Sequence, residues 1–263
     1  MERAPVDGQS YRNRHRRTGR ARDDAPFSEK NALKPWLKER WCIGKPDGEY
    51  IARMEDVLDL YAQRPEPKVA RLCFDECPCQ LLADLIDSLP MQPGVVSKQD
   101  YEYVRRGTGV ILLAYDLDSG QRYVQVRPQR TKRDYAQFMF WLISTHYAEV
   151  ECVQIVQDNL NTHTYGAFYE HLPCEIAHAL MQKIEFHFTP KHASWLNMAE
   201  LEFSVLARQC LGQRFATLSH LQQAVYAWAE KRNRAGVPIS WTFTTHEARH
   251  KLKRHYQNLN SYN

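Results

Sequence analysis

GVILLAYDLDSGQRYVQVRP, residues 109–128, holds two β-rich runs on either side of Asp118-Ser119-Gly120. That loop is short enough for a hairpin, and its glycine can take a positive φ. The hairpin supplies the antiparallel part of a sheet. Before it, VARLCFDEC (69–77) reads as a strand with apolar residues on both faces, ending at Asp75-Glu76. After it, residues 131–147 place Tyr135, Phe138, Met139, Leu142, Ile143 and His146 on one helical face. CVQIVQD (152–158) reads as a buried strand, and 164–183 as a helix interrupted at Pro173. IEFHFTP (184–190) is a short strand stopped by Pro190, and SWLNMAELEFSVLARQCLG (194–212) is one helix ending at Gly212. The order predicts an α/β fold: a mixed five-stranded sheet, antiparallel hairpin first and parallel strands second, flanked by helices.

Outward from that core, GEYIARMEDVLDLY (48–61) carries Ile51, Met54, Val57, Leu58 and Tyr61 along one helical stripe, which RPEPK (64–68) breaks. Two further helices are expected near 217–233 and 244–256. The expected organisation is a disordered basic segment (1–30), a linker and helix (31–68), a core (69–212), and C-terminal helices with a basic tail (213–263).

The chain has 263 residues, 43% hydrophobic and 25% charged, as in an ordinary globular protein. No run of eighteen apolar residues is present, and the N-terminal segment has no apolar signal core, so a cytoplasmic location is expected. Seven cysteines, an odd number in a long chain, disfavour a disulfide framework. Cys73, Cys77 and Cys79 cluster, but no second pair follows to complete a zinc site, so buried thiols are the better reading.

The net charge of +4 is unevenly spread. Residues 1–22 carry seven arginines against Glu2 and Asp7, and residues 231–254 carry seven lysines and arginines against Glu247. Basic ends around a net acidic centre suit a polyanionic partner and a cation-holding core.

Three acids stand out. Asp75 and Asp158 end strands, and ligands of open α/β sheets gather at the carboxyl ends of strands. Two acids brought together there repel unless a cation holds them. Glu200 lies on the 194–212 helix, sharing a face with Asn197 at the edge of the apolar stripe, whereas Glu202 is about 200° around and cannot face the same site. Taken singly, the three read as a strand end, an Asx turn and a solvated helix residue. Together they are hard oxygen ligands for two Mg²⁺ or Mn²⁺ ions, which can clamp the attacking and leaving oxygens of a phosphoryl displacement.

FDE (74–76), DNLNTHT (158–164) and FTPKHASWLNMAELEFSVLARQCL (188–211) resemble the DDE transposases of bacterial insertion sequences related to the mariner superfamily. LKPWLKERWCI (33–43) and RMEDVLDLY (53–61) resemble that family's linker into its catalytic domain. The resemblance implies an RNase H-like fold and metal-dependent cutting and joining of double-stranded DNA, both transposon ends and target, by a homodimer in a synaptic complex. It implies Asp75, Asp158 and Glu200 as catalytic and metal-binding residues. Asn159 and His163 then flank the second aspartate, and Trp195 and Asn197 support the glutamate helix. DNA phosphates are expected on Arg127, Arg130, Lys132 and Arg133 after the hairpin, on Lys191 and His192, and on the tail residues Lys251, Lys253 and Arg254.

Two departures from the family's pattern bear on activity. Cys77 stands where the family usually has lysine, and an N-terminal end-reading region expected of the family has no counterpart before residue 35. The chain therefore reads as N-terminally truncated. The alternative expectation is a catalytically impaired remnant that keeps the fold and non-specific DNA binding.

Overall fold

A computed structural model describes residues 46–86, 89–98 and 100–259. The expected basic segment 1–30, the LKPWLKERWCI stretch and Cys42 lie outside the described residues. Five strands form one sheet in the order β3-β2-β1-β4-β5. They are β1 (Val69–Asp84), β2 (Tyr103–Asp116), β3 (Arg122–Arg127), β4 (Cys152–Gln157) and β5 (Ile184–Phe188). β1 pairs antiparallel with β2, and β2 with β3, while β4 runs parallel to both β1 and β5. This is the mixed sheet the sequence order predicts.

Among the described residues the helices are α1 (Gly48–Ala62), α2 (Lys132–His146), α3 (Tyr165–His171), α4 (Cys174–Lys183), α5 (Met198–Gln209), α6 (Leu218–Ala235), α7 (Thr245–Lys251) and α8 (Lys253–Leu259). Strand alternation divides the core between the two faces of the sheet. On one face, Cys73, Ile111, Leu113, Val124 and Val156 pack with Met54 and Leu58 of α1, Ala199 and Leu206 of α5, and Leu221 and Val225 of α6. On the other, Leu72, Phe74, Leu112, Ala114 and Ile155 pack with Tyr135, Phe138 and Leu142 of α2, Phe168 of α3 and Ala177 of α4. Gly109 lets α6 approach the first layer closely: a Cβ there would stand 2.8 Å from the Leu218 methyl and 2.9 Å from that of Leu221, so both leucines would have to shift. Gly120 closes the hairpin with φ +67, as its place in the loop requires.

Three boundaries differ from expectation. β1 does not stop at Cys77 but runs through Pro78 to Asp84. Its parallel partner β4 is paired only as far as Cys73, so beyond that point β1 is an edge strand, where proline is tolerated. The stretch 194–212 is not one helix: a 3₁₀ turn at Ser194–Leu196 precedes α5, and Asn197 caps α5 by accepting from the Ala199 N–H. Asparagine competes for backbone donors in this way and starts helices better than it continues them. The expected 244–256 helix is likewise two, divided at Leu252, whose side chain is buried in the first core layer.

Candidate active site

The sheet register brings the two aspartates together. Cys73 and Val156 are the last partners of the parallel β1–β4 ladder, and Asp75 and Asp158 each stand two residues beyond them. Cys73 and Val156 share the face that packs against α5, so Asp75 leaves β1 toward the helix that carries Glu200. Asp75 thus lies within a strand, not at its end, but at the level where β4 gives way to the Asp158 loop.

α5 is anchored to that level from two sides. Asn197 Nδ2 donates to the backbone oxygen of Phe74 at 2.8 Å and reaches Asp75 Oδ2 at 3.5 Å. Tyr61 of α1 donates to the backbone oxygen of Leu196 at 2.7 Å. Asn197 thus contacts the strand that carries Asp75 directly. Trp195, expected to support the same helix, lies edge-on against Phe243 at 5.7 Å. Glu200 occupies the first turn of α5 and is half-buried, while Glu202 is fully buried elsewhere, on Arg122 and Arg232.

The electrostatics record the convergence. Burial pushes the Asp75 carboxyl up to about 7, and the charges of Asp158 and Glu200 add to the rise. Three acids within electrostatic reach, one of them reluctant to ionise, form a site that a divalent cation would relieve. Among the described residues, no three His, Cys, Asp or Glu side chains enclose a metal ion as they stand. An open array of carboxylates suits Mg²⁺, which keeps waters and takes one or two carboxylates plus substrate phosphates. The donor chemistry therefore fits the ions expected from the sequence.

Behind Asp158 stands His163, wholly buried. Its Nδ1 lies 2.7 Å from Asp158 Oδ1 and 3.2 Å from the Asp158 backbone oxygen. Its Nε2 donates to Glu76 Oε1 at 3.2 Å. Burial alone would lower the imidazole's pKa, but the Asp158 and Glu76 carboxylates outweigh it and carry the group to about 9. Glu76 was not singled out from the sequence. Its signal was strand alternation: one residue from Asp75, it must leave β1 on the opposite face.

The candidate DNA contacts are dispersed. Lys191 and His192 line a cleft of about 390 Å³ with Asn159, Arg53 and Tyr50, and His192 adopts φ +64, unusual for a side-chain-bearing residue. Arg127 is held by Gln125 and Gln137, Arg130 lies 3.6 Å from Glu76, Lys132 pairs with Glu170, and Arg133 is exposed. Lys251 sits 4.8 Å over the Phe243 ring, while Lys253 and Arg254 are exposed at the start of α8.

The family model described as DDE superfamily endonuclease matches residues 70–222, more than half of the chain. The chain belongs to the DDE superfamily endonuclease family. The match spans the sheet and all three acids, and makes this DNA-cutting chemistry its class. No curated protein matches it in sequence.

Among solved structures, the Mos1 mariner paired-end complex with Mn is similar at TM-score 0.52 and 13% identity, over 90% of this chain and 71% of that one. The Mos1 strand transfer complex gives 0.53 at 13%, over 90% and 69%, and a pre-cleavage Mos1 transpososome 0.51 at 15%, over 90% and 69%. At such identities the likeness is one of fold, and the fold of this DDE endonuclease is the RNase H-like arrangement of mixed sheet and flanking helices.

Proposed function

We propose that this DDE endonuclease is the catalytic part of a transposase of the bacterial insertion-sequence type, and that Asp75, Asp158 and Glu200 are its catalytic carboxylates. The observation that carries the reading is the register of β1 and β4, which aligns Asp75 with Asp158 beneath the first turn of α5. The similarity to Mos1 complexes described as paired-end and strand-transfer assemblies supports double-stranded DNA as substrate, and two copies of this chain acting together on paired ends. The similar paired-end complex with Mn supports a divalent ion as cofactor.

Asp75, Asp158 and Glu200 would hold two Mg²⁺ or Mn²⁺ ions. When bound, such ions supply Lewis-acid stabilisation of the attacking and leaving oxygens. The chain's own part is placement. Asn197 ties α5 to the Phe74 backbone, so Glu200 is set by the same strand that carries Asp75. His163 holds the Asp158 carboxylate by its buried imidazole. Lys191, in the cleft that Asn159 and His192 line, offers positive charge to a phosphate chain approaching the acids.

The test is nicking of supercoiled plasmid by the purified chain in Mg²⁺ or Mn²⁺, with Glu200→Gln alongside. Metal-dependent nicking by the wild type and none by the variant is the expected result. Equal nicking by both would remove Glu200 from the assignment.

A further inference from the structure

Glu76 takes no part in the chemistry above, yet its side chain is withdrawn from solvent. Its side chain is 2% exposed, on the aromatic face of the sheet with Phe74 and Tyr135. A carboxylate in such a layer is retained only with charged partners. It has two. His163 donates to Oε1 at 3.2 Å, and Arg130, half exposed at the surface, lies 3.6 Å from Oε2.

The His163 ring has little freedom. It stacks on Tyr135 at 4.8 Å and meets Phe74 edge-on at 5.3 Å. Tyr135 in turn donates to Gln157 at 2.8 Å, and Gln157 donates to the His163 backbone oxygen. One rigid imidazole therefore spans two carboxylates, Glu76 of β1 and Asp158 of the loop after β4.

We propose that Glu76 is a positioning residue that acts through His163 to hold the Asp158 carboxylate in place for metal. This rests on the reading of Asp158 as a metal ligand. The geometry assigns each partner a distinct task. The aromatic rings fix the plane of the imidazole. Glu76 fixes its rotation within that plane, leaving Nδ1 on the Asp158 backbone oxygen and 2.7 Å from Asp158 Oδ1. Arg130 closes the far end of the chain and connects it to the surface where DNA phosphate is expected.

The experiment is direct Mn²⁺ binding to the DNA-free chain by calorimetry, for wild type, Asp158→Asn, Glu76→Gln, His163→Gln and the Glu76→Gln/His163→Gln double variant, each with its thermal midpoint. Partners that orient ligands typically account for about 10–100-fold in metal affinity. Glu76→Gln is expected to weaken Mn²⁺ binding about tenfold or more, and to add almost nothing in the His163→Gln background. Unchanged Mn²⁺ affinity in a folded Glu76→Gln protein would overturn the proposal, as would additive losses in the double variant. Should Glu76→Gln fail to fold, Glu76→Asp keeps the charge and shortens the reach. A several-fold loss of affinity is then expected, and wild-type affinity overturns the proposal. If wild type and Asp158→Asn bind Mn²⁺ equally, the ligand reading itself fails, and the role of Glu76 fails with it.

Discussion

Glu202 is gripped by Arg122 through two hydrogen bonds, 2.8 and 2.7 Å, in a site where neither side chain reaches solvent. Arg232 of α6 adds a third at 2.9 Å, and Arg122 also donates to the backbone oxygens of Gly120 and Val237. This network joins the β2–β3 hairpin, α5 and α6. It lies about 200° around α5 from Glu200, so it fixes the rotation of the helix that presents the third acid.

Removing one partner leaves a buried charge without its complement. Glu202→Ala is expected to lower stability by about 3–5 kcal/mol, the usual consequence of breaking a buried ion pair. Glu200→Gln, at a half-buried position facing other acids, is expected to leave stability unchanged or slightly raised. Urea unfolding of the two variants separates them. Similar midpoints would mean that the Arg122–Glu202 pair does not anchor α5.

The pH dependence of the metal-free protein has a defined sign. The Asp75 carboxyl rises from 3.8 in the unfolded chain to about 7 in the folded one. Between those values the folded state holds a proton that the unfolded state has released, so stability falls as pH rises through this window. His163, raised from 6.5 to about 9, contributes stability that is present below pH 6.5 and lost as pH climbs through 9. In EDTA the thermal midpoint is therefore expected to drop from pH 5 to pH 9. Asp75→Asn should flatten the lower part of that decline, and saturating Mg²⁺ should oppose it in the wild type. A wild-type midpoint that rises across this range would contradict the assigned environments of both groups.

The mixed sheet and its hairpin were legible in the sequence because each has a local signature: strand alternation and a glycine loop. The register that pairs Asp75 with Asp158 was not, because it is a relation between segments some eighty residues apart. Glu76 and Glu202 were hidden for a related reason. A buried acid is distinguishable from a surface acid only through its partners, and His163 and Arg122 lie far off in the chain. The break at Asn197 was readable in principle, since asparagine before Met-Ala-Glu is a capping signal. The strong apolar period on both sides masked it.

Basic residues near the surface should separate into two groups. Arg249 is committed to Glu55 by two bonds of 2.8 Å, whereas Lys253 and Arg254 are exposed. Arg249→Ala is expected to loosen the packing of α7 on α1 and leave DNA affinity nearly unchanged. Lys253→Ala/Arg254→Ala should weaken binding to any duplex alike and reduce the salt slope by about 2, about one for each phosphate no longer neutralised. Fluorescence anisotropy across a salt series reads both. An unchanged slope in the double variant would remove the α8 residues from the DNA-facing surface.

Cys77 offers the converse test, a gain. It leaves β1 on the same face as Asp75, two residues along, and is only half-buried against the core. Burial pushes its thiol pKa up, so at neutral pH it carries no charge toward DNA. Lysine at this position would place its ammonium beyond the edge of the core while its stem covers the same apolar surface. Cys77→Lys is expected to tighten non-specific duplex binding at low salt and to steepen the salt dependence by about one unit, with thermal stability nearly preserved. If nicking rises in parallel with binding, the acids were already competent and limited by their hold on substrate. If binding tightens and nicking does not, the lysine side chain holds DNA out of register with Asp75. A variant whose salt slope equals the wild type's would show that position 77 does not face the phosphate chain at all.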